Sequence, residues 1–154
     1  MTLTTEVVAS KPEGHATPLL AVLAAQGTTL PQSLQGLDQQ AGGALSRLYA
    51  AGDFSGKRDS TALAWPTGPA ARVLLIGIGK PGPDLRDPIR RGASVAAKQA
   101  RKLGVESMAI VVASGATTLG TADVAQLLAE GIPQGAWRFD AMKLPPEEPK
   151  PELT

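Results

Sequence analysis

Apolar and polar positions divide this chain into short unbroken apolar runs separated by longer stretches of helical period. Leu19-Leu20-Ala21-Val22-Leu23-Ala24 is apolar throughout. Periodicity alone does not choose between buried strand and helix for so short a run. Its bracketing by Pro18 and Gly27 favours strand. Arg72-Val73-Leu74-Leu75-Ile76-Gly77 and Ser107-Met108-Ala109-Ile110-Val111-Val112 are also apolar without alternation, as in strands covered on both faces. Ser60-Thr61-Ala62-Leu63-Ala64-Trp65 predicts a strand closed by Pro66, and residues 3–8 predict a short β-prone run ended by residues 11–14.

The strongest helical pattern covers residues 84–103. Leu85, Ile89, Ala93, Ala96, Ala100 and Leu103 fall on one side of a 100° wheel. Arg90, Arg91, Ser94, Lys98, Arg101 and Lys102 fall opposite, and Gly104 suits the position just past the helix end. Residues 37–51 predict a second helix with Asp38 as N-cap. Gly42-Gly43 weakens it by roughly 1 kcal/mol per glycine relative to alanine, and implies close packing against another backbone. A last helix, capped by Thr121 or Asp123, runs through Gln126, Leu127, Leu128 and Glu130. Pro133 predicts that it kinks or ends near Ile132. The strand–helix–strand–helix order from Arg72 onward predicts a crossover connection and parallel strands.

Composition narrows the class. The chain has 154 residues, one domain's worth, with 43% hydrophobic and 3% aromatic residues. The core must therefore be built from Leu, Val, Ile and Ala. A net charge of +1 gives no global field toward nucleic acid or membrane. The absence of cysteine excludes disulfide and thiol chemistry and points to a reducing compartment. The first residues lack a signal-peptide pattern, and no apolar run approaches the ~20 residues that span a bilayer. The expected location is cytoplasmic, without membrane contact.

Candidate chemistry is sparse. Gly77-Ile78-Gly79-Lys80-Pro81-Gly82 is a literal G-x-G-x-x-G after a strand. Pro81 and Pro83 remove amide donors, Asp84 and Asp87 repel an anion at the next helix, and the following strand ends in Ala113-Ser114 rather than an acid. A tight strand exit is the favoured reading. His15 is the sole histidine and the acids are scattered, so no metal site is expected in this chain. Ser46, Ser94 and Ser114 have no neighbouring base. No catalytic residue is assigned. The basic residues Arg90, Arg91, Lys98, Arg101 and Lys102 form a candidate nucleic-acid surface, weighed against an ordinary solvated helix face. No aromatic is interleaved among them for base stacking.

Four ordered segments carry a resemblance. They are Gly42-Gly43-Ala44-Leu45-Ser46; Gly52-Asp53-Phe54-Ser55-Gly56-Lys57; Arg72 through Lys80 with Arg90-Arg91-Gly92-Ala93 after it; and Glu130-Gly131 leading to Gly135-Ala136-Trp137-Arg138-Phe139-Asp140 and Lys143. Together they resemble the N-terminal domain of the leucyl aminopeptidase (cytosol aminopeptidase) family over residues 36–143. Met142 replaces the aromatic that usually precedes the lysine.

The resemblance implies an α/β, macro-domain-like fold, a mixed, largely parallel sheet flanked by helices. It places this domain at 1–143 and reads 144–154, rich in proline, as a linker toward a C-terminal catalytic domain. That domain would bind two divalent metals, manganese or zinc among them, and hydrolyse N-terminal residues from peptides. No motif of that kind occurs in these residues. The expected role is a non-catalytic accessory domain in a homo-hexamer, supporting assembly and active-site access. The alternative is a nucleotide- or DNA-binding module using the helix at 84–103.

Overall fold

The computed structural model describes residues 3–8, 10–137 and 150–154. Four strands form one sheet: β1 (Leu20–Ala24), β2 (Thr61–Ala64), β3 (Val73–Gly77) and β4 (Ala109–Val112), in the order β2-β3-β1-β4. β1 pairs in parallel with β3 and β4, while β2 pairs antiparallel with β3. The sheet is thus mixed and largely parallel. The parallel strands β3 and β4 are not neighbours, because the crossover between them passes over β1.

Helices cover both faces. α1 (Gln35–Gln40) and α2 (Ala44–Ala51) lie on one face; α3 (Arg86–Leu103) and α4 (Thr121–Ala136) lie on the other. β1 and β3 are buried at every position, which is why their apolar runs show no alternation. Leu19, Ala21, Leu23, Leu74 and Ile76 point toward α3 and α4. Leu20, Val22, Val73 and Leu75 point to the opposite core with Leu37, Leu45, Tyr49 and Phe54.

The helix expected over 37–51 is two helices. Gly42 and Gly43 both take positive φ, and the chain turns there. Asp38 lies in the first turn of α1 and does not cap it. Its carboxylate instead accepts the Ser46 amide at 2.9 Å and the Ser46 hydroxyl. It thereby satisfies an orphan donor in the first turn of α2 from a distance.

α4 continues through Pro133 to Ala136, so the expected end near Ile132 is not observed. Pro133 sits in the last turn, is exposed, and forfeits only one helix bond there. Gly131 and Gly135 lie against α3 so closely that a Cβ on either would collide with the carbonyl oxygen of Arg90 or Ser94. Residues 3–8 form no strand, although Leu3 packs on the core and the Thr4 amide reaches the Thr154 carbonyl.

Residues 150–154, the end of the stretch expected to be linker, lie on the domain. Leu153 is buried in the α3–α4 core, and the Thr154 amide donates to the Glu106 carbonyl at 2.8 Å. Lys150 Nζ donates to the Lys102 carbonyl at 2.8 Å, satisfying an orphan acceptor at the end of α3. The expected domain boundary at residue 143 and the segment 138–149 lie outside the described residues.

Tyr49 gives the fold a measurable pH signature. It packs edge-on against Phe54 with centroids 5.4 Å apart, and its hydroxyl is buried without a hydrogen-bond partner. Burial pushes that hydroxyl up to about 12. The side chain is only 6% exposed, so solvent screens the effect little. Between the unfolded value near 10 and the folded value, only the folded chain keeps the proton. The stability present below pH 10 therefore falls as pH rises toward 12, by up to roughly 2–3 kcal/mol. Tyr49→Phe is expected to remove that slope and to raise neutral-pH stability by about 1 kcal/mol. Urea melts at pH 8 and pH 11 check it; an equal alkaline loss in both proteins contradicts it.

Candidate functional site

α3 owes its length to uninterrupted helix formers from Ala93 onward and to Gly104, which closes its C-terminus in the left-handed conformation. Its buried stripe includes Ile89, Gly92, Ala93, Ala96, Ala97 and Ala100. These small side chains let α4 approach, and α4 recruits part of the polar side as well. The basic residues predicted as one solvated face are consequently divided.

Arg90 is held between two acids. Its Nε donates to Glu130 at 2.9 Å and its Nη1 to Asp87 at 2.8 Å. Arg101 Nη1 donates to the carbonyls of Gly135 and Trp137, at 3.1 and 2.9 Å. It satisfies acceptors that α4 leaves open at its C-terminus. Both arginines tie α3 to α4, which the helical wheel did not anticipate. Their reversal to glutamate would disturb the fold as well as the surface charge.

Arg91, Lys98 and Lys102 are exposed or partly exposed at the helix surface. Arg91 donates to Asp59 at 2.7 Å. Arg91, Ser94 and Lys98 line an open groove of about 550 Å³ with Arg58, Asp87, Arg90 and Gln134. Arg58 carries no signal in the sequence. It lies 33 positions before Arg91, and nothing local links the two. Lys102 does not line the groove.

Hydrogen bonding and charge act together here. The hydrogen bond from Arg91 lowers the Asp59 carboxyl, with Arg58 and Lys98 adding to the effect. Asp59 in turn holds the Arg91 guanidinium further up. Hydrogen bonds from Gln126 and then Arg90 lower Glu130. These carboxylates contribute stability above the ordinary carboxylate range and lose it as pH falls through their lowered values. Solvent exposure keeps the contribution small.

The glycine-rich exit from β3 does not present a phosphate cradle. Gly77 N–H donates to Ser60, Ile78 N–H to Ala24 and Gly79 N–H to Gly56, each to a carbonyl at 2.8–3.1 Å. Gly77 is required because a Cβ there would strike the Lys57 carbonyl. A doubly wound sheet binds ligands beyond the C-terminal ends of its strands, where the topology switches direction. Here the chain bonds across that end. Gln26 N–H donates to Gly79 O at 2.7 Å, and Ser33 and Ser114 each donate a main-chain amide to the other's hydroxyl.

Among the described residues no three His, Cys, Asp or Glu side chains converge to hold a metal. Among these residues no helix is long and apolar enough to cross a membrane.

The profile described as "Cytosol aminopeptidase family, N-terminal domain" matches residues 21–146. The chain belongs to the cytosol aminopeptidase family. It matches the N-terminal domain of that family and extends the resemblance seen from residue 36 back into β1. A probable cytosol aminopeptidase of Roseiflexus castenholzii is 38% identical over 148 residues, which cover 92% of this chain and 28% of that protein. A counterpart from Synechococcus elongatus is 30% identical, covering 94% of this chain and 29% of that protein. The cytosol aminopeptidase domain described here thus spans under a third of the relatives it matches.

Solved structures agree on the fold. A mutant tomato leucine aminopeptidase superposes with a TM-score of 0.71 at 22% identity, over 97% of this chain and 30% of that one. The macrodomain of Mycobacterium tuberculosis DarG superposes with a TM-score of 0.63 at 16% identity, covering 86% of this chain and 92% of that one. The macro-domain-like α/β architecture is therefore established by structure as well as by sequence.

Proposed function

We propose that this chain is the non-catalytic accessory domain of a two-metal aminopeptidase that removes N-terminal residues from peptides in the cytoplasm. The carrying observation is the family match over residues 21–146 combined with coverage of only 28% of the Roseiflexus castenholzii relative. Most of such an enzyme lies outside this domain. Two divalent metals, manganese or zinc, would then be held by the C-terminal part of the enzyme.

The domain's role is then positional. It packs against its own catalytic domain, supports a homo-hexamer and limits access to the active site. The closely packed α3–α4 layer and the docked segment 150–154 give it a defined surface and a defined exit for the chain.

Leucine p-nitroanilide with added manganese tests the reading. The 154-residue chain is expected to show no turnover above a metal-only blank. Sustained turnover that co-purifies with the chain through two orthogonal columns would overturn it.

A further inference from the structure

We propose that the groove beside α3 binds the phosphate group of a small phosphomonoester between Arg58, Arg91 and Lys98. This goes beyond the accessory-domain reading and does not depend on it.

Two separate parts of the chain supply the cations. Arg91, Ser94 and Lys98 stand at i, i+3 and i+7 of α3, so one stretch of about 10 Å along the helix carries all three. Arg58 lines the same groove from the turn before β2.

That turn is firmly built. Ser60 N–H donates to Lys57 O at 3.0 Å and closes it, with Asp59 inside it at a left-handed φ of 64°. Asp59 N–H donates to Gly77 O at 3.1 Å, and Gly77 N–H donates back to Ser60 O at 2.8 Å. The turn is thereby bonded to the end of β3. The Arg58 stem runs past the place where Gly79 has no side chain. A Cβ on Gly79 would sit 3.8 Å from Arg58 Cβ and 3.9 Å from its Nε.

The donors of the groove are unequally committed. Arg90 is taken by Asp87 and Glu130. Arg91 is gripped only through Nε, by Asp59 at 2.7 Å, which orients the guanidinium and leaves its Nη edge open. Among the described residues Arg58, the Ser94 hydroxyl and Lys98 have no hydrogen-bond or ion-pair partner. Arg91, Arg58 and Lys98 also act on one point, since all three hold the Asp59 carboxyl below its ordinary range. A carboxylate offers two oxygens to such a donor set. The three free oxygens of a phosphomonoester match it better.

The same geometry limits the ligand to one phosphate. A nucleic-acid strand needs a row of cations for successive phosphates. Here Arg90 and Arg101 are spent on α4, Lys102 lies outside the groove, and Asp87 stands at the helix-start end. The remaining space suits the ester part. At about 550 Å³ the groove falls in the range of small-molecule sites, with Pro88 and Val95 as apolar lining and Gln134 as a polar contact.

Titration of the 154-residue chain, followed by amide NMR at a fixed ionic strength of about 0.15 M, tests the proposal. Phenyl phosphate is expected to bind saturably, with shifts centred on Arg58, Arg91, Ser94 and Lys98. Inorganic phosphate should move the same amides and bind roughly 10-fold more weakly, because it leaves Pro88 and Val95 uncovered. Inorganic phosphate binding more tightly would overturn the ester assignment. Arg58→Ala and Lys98→Ala are each expected to weaken phenyl phosphate on the order of 10-fold at unchanged Tm. Lys102→Ala, outside the groove, should leave binding unchanged. Shifts that never saturate, an equal loss in Lys102→Ala, or a duplex oligonucleotide bound in preference to phenyl phosphate would overturn the proposal.

Discussion

Gly135→Ala will destabilise the domain even though alanine is the better helix former. Helix propensity alone favours the substitution by about 1 kcal/mol. Opposing it is a Cβ placed against the Ser94 carbonyl oxygen and the Ala97 methyl, both on α3. The first is main chain, so no rotamer change relieves the clash. Overpacking of this kind costs about 3 kcal/mol, leaving a net loss of about 2 kcal/mol. For a chain of this size that lowers Tm by roughly 6 °C. Gly131→Ala places its Cβ against the Arg90 carbonyl and should lose a similar amount. The double variant is expected to lose less than the sum, because one outward shift of α4 relieves both contacts. Thermal melts of the three variants check this. A raised Tm for Gly135→Ala would mean that the helices are not in close contact.

Leu153→Asp is expected to release residues 150–154 while leaving the four-stranded sheet folded. Leu153 is 4% exposed in the α3–α4 core, and a carboxylate cannot stay there unpaired. Undocking forfeits about 2 kcal/mol of apolar burial and about 1 kcal/mol from the Thr154–Glu106 hydrogen bond. The total of about 3 kcal/mol corresponds to a Tm drop of roughly 9 °C. Lys150 also leaves the end of α3, and the Thr154 amide loses its bond to Glu106, so hydrogen exchange of that amide should accelerate. Unchanged melting and unchanged exchange would show that Leu153 does not hold this segment on the domain.

The family itself is legible in the sequence because its signals are local. Glycine pairs, the Asp53-Phe54 turn and the exit after β3 are short segments whose order can be read without a structure. The strands at Leu20–Ala24, Val73–Gly77 and Ala109–Val112 are legible for a related reason. Unbroken apolar runs bounded by Gly or Pro have few other uses in a chain this size. The glycine motif after β3 is also readable as structural, since Pro81 and Pro83 already argue against a phosphate cradle.

The surface of α3 is not legible in the same way. A helical wheel places Arg90, Lys98 and Arg101 on one polar arc, but it contains no second helix. Gly131 and Gly135 bring α4 close enough for Glu130 to take Arg90 and for the end of α4 to take Arg101. Arg58 joins the groove through the loop before β2, far away in sequence. The role of Asp38 escapes a sequence reading for the same reason. Its carboxylate caps the helix after its own, because Gly42 and Gly43 fold α2 back beside it.

By itself, then, the sequence determined the family, the α/β class and the main strands. Each of these depends on residue type, order and period. Tertiary structure decided which charges are shared between helices and which helix a cap serves. Those properties depend on how closely two main chains approach. At Gly131 and Gly135 that approach is controlled by a single missing Cβ, and only the packed fold shows what the missing atom would have struck.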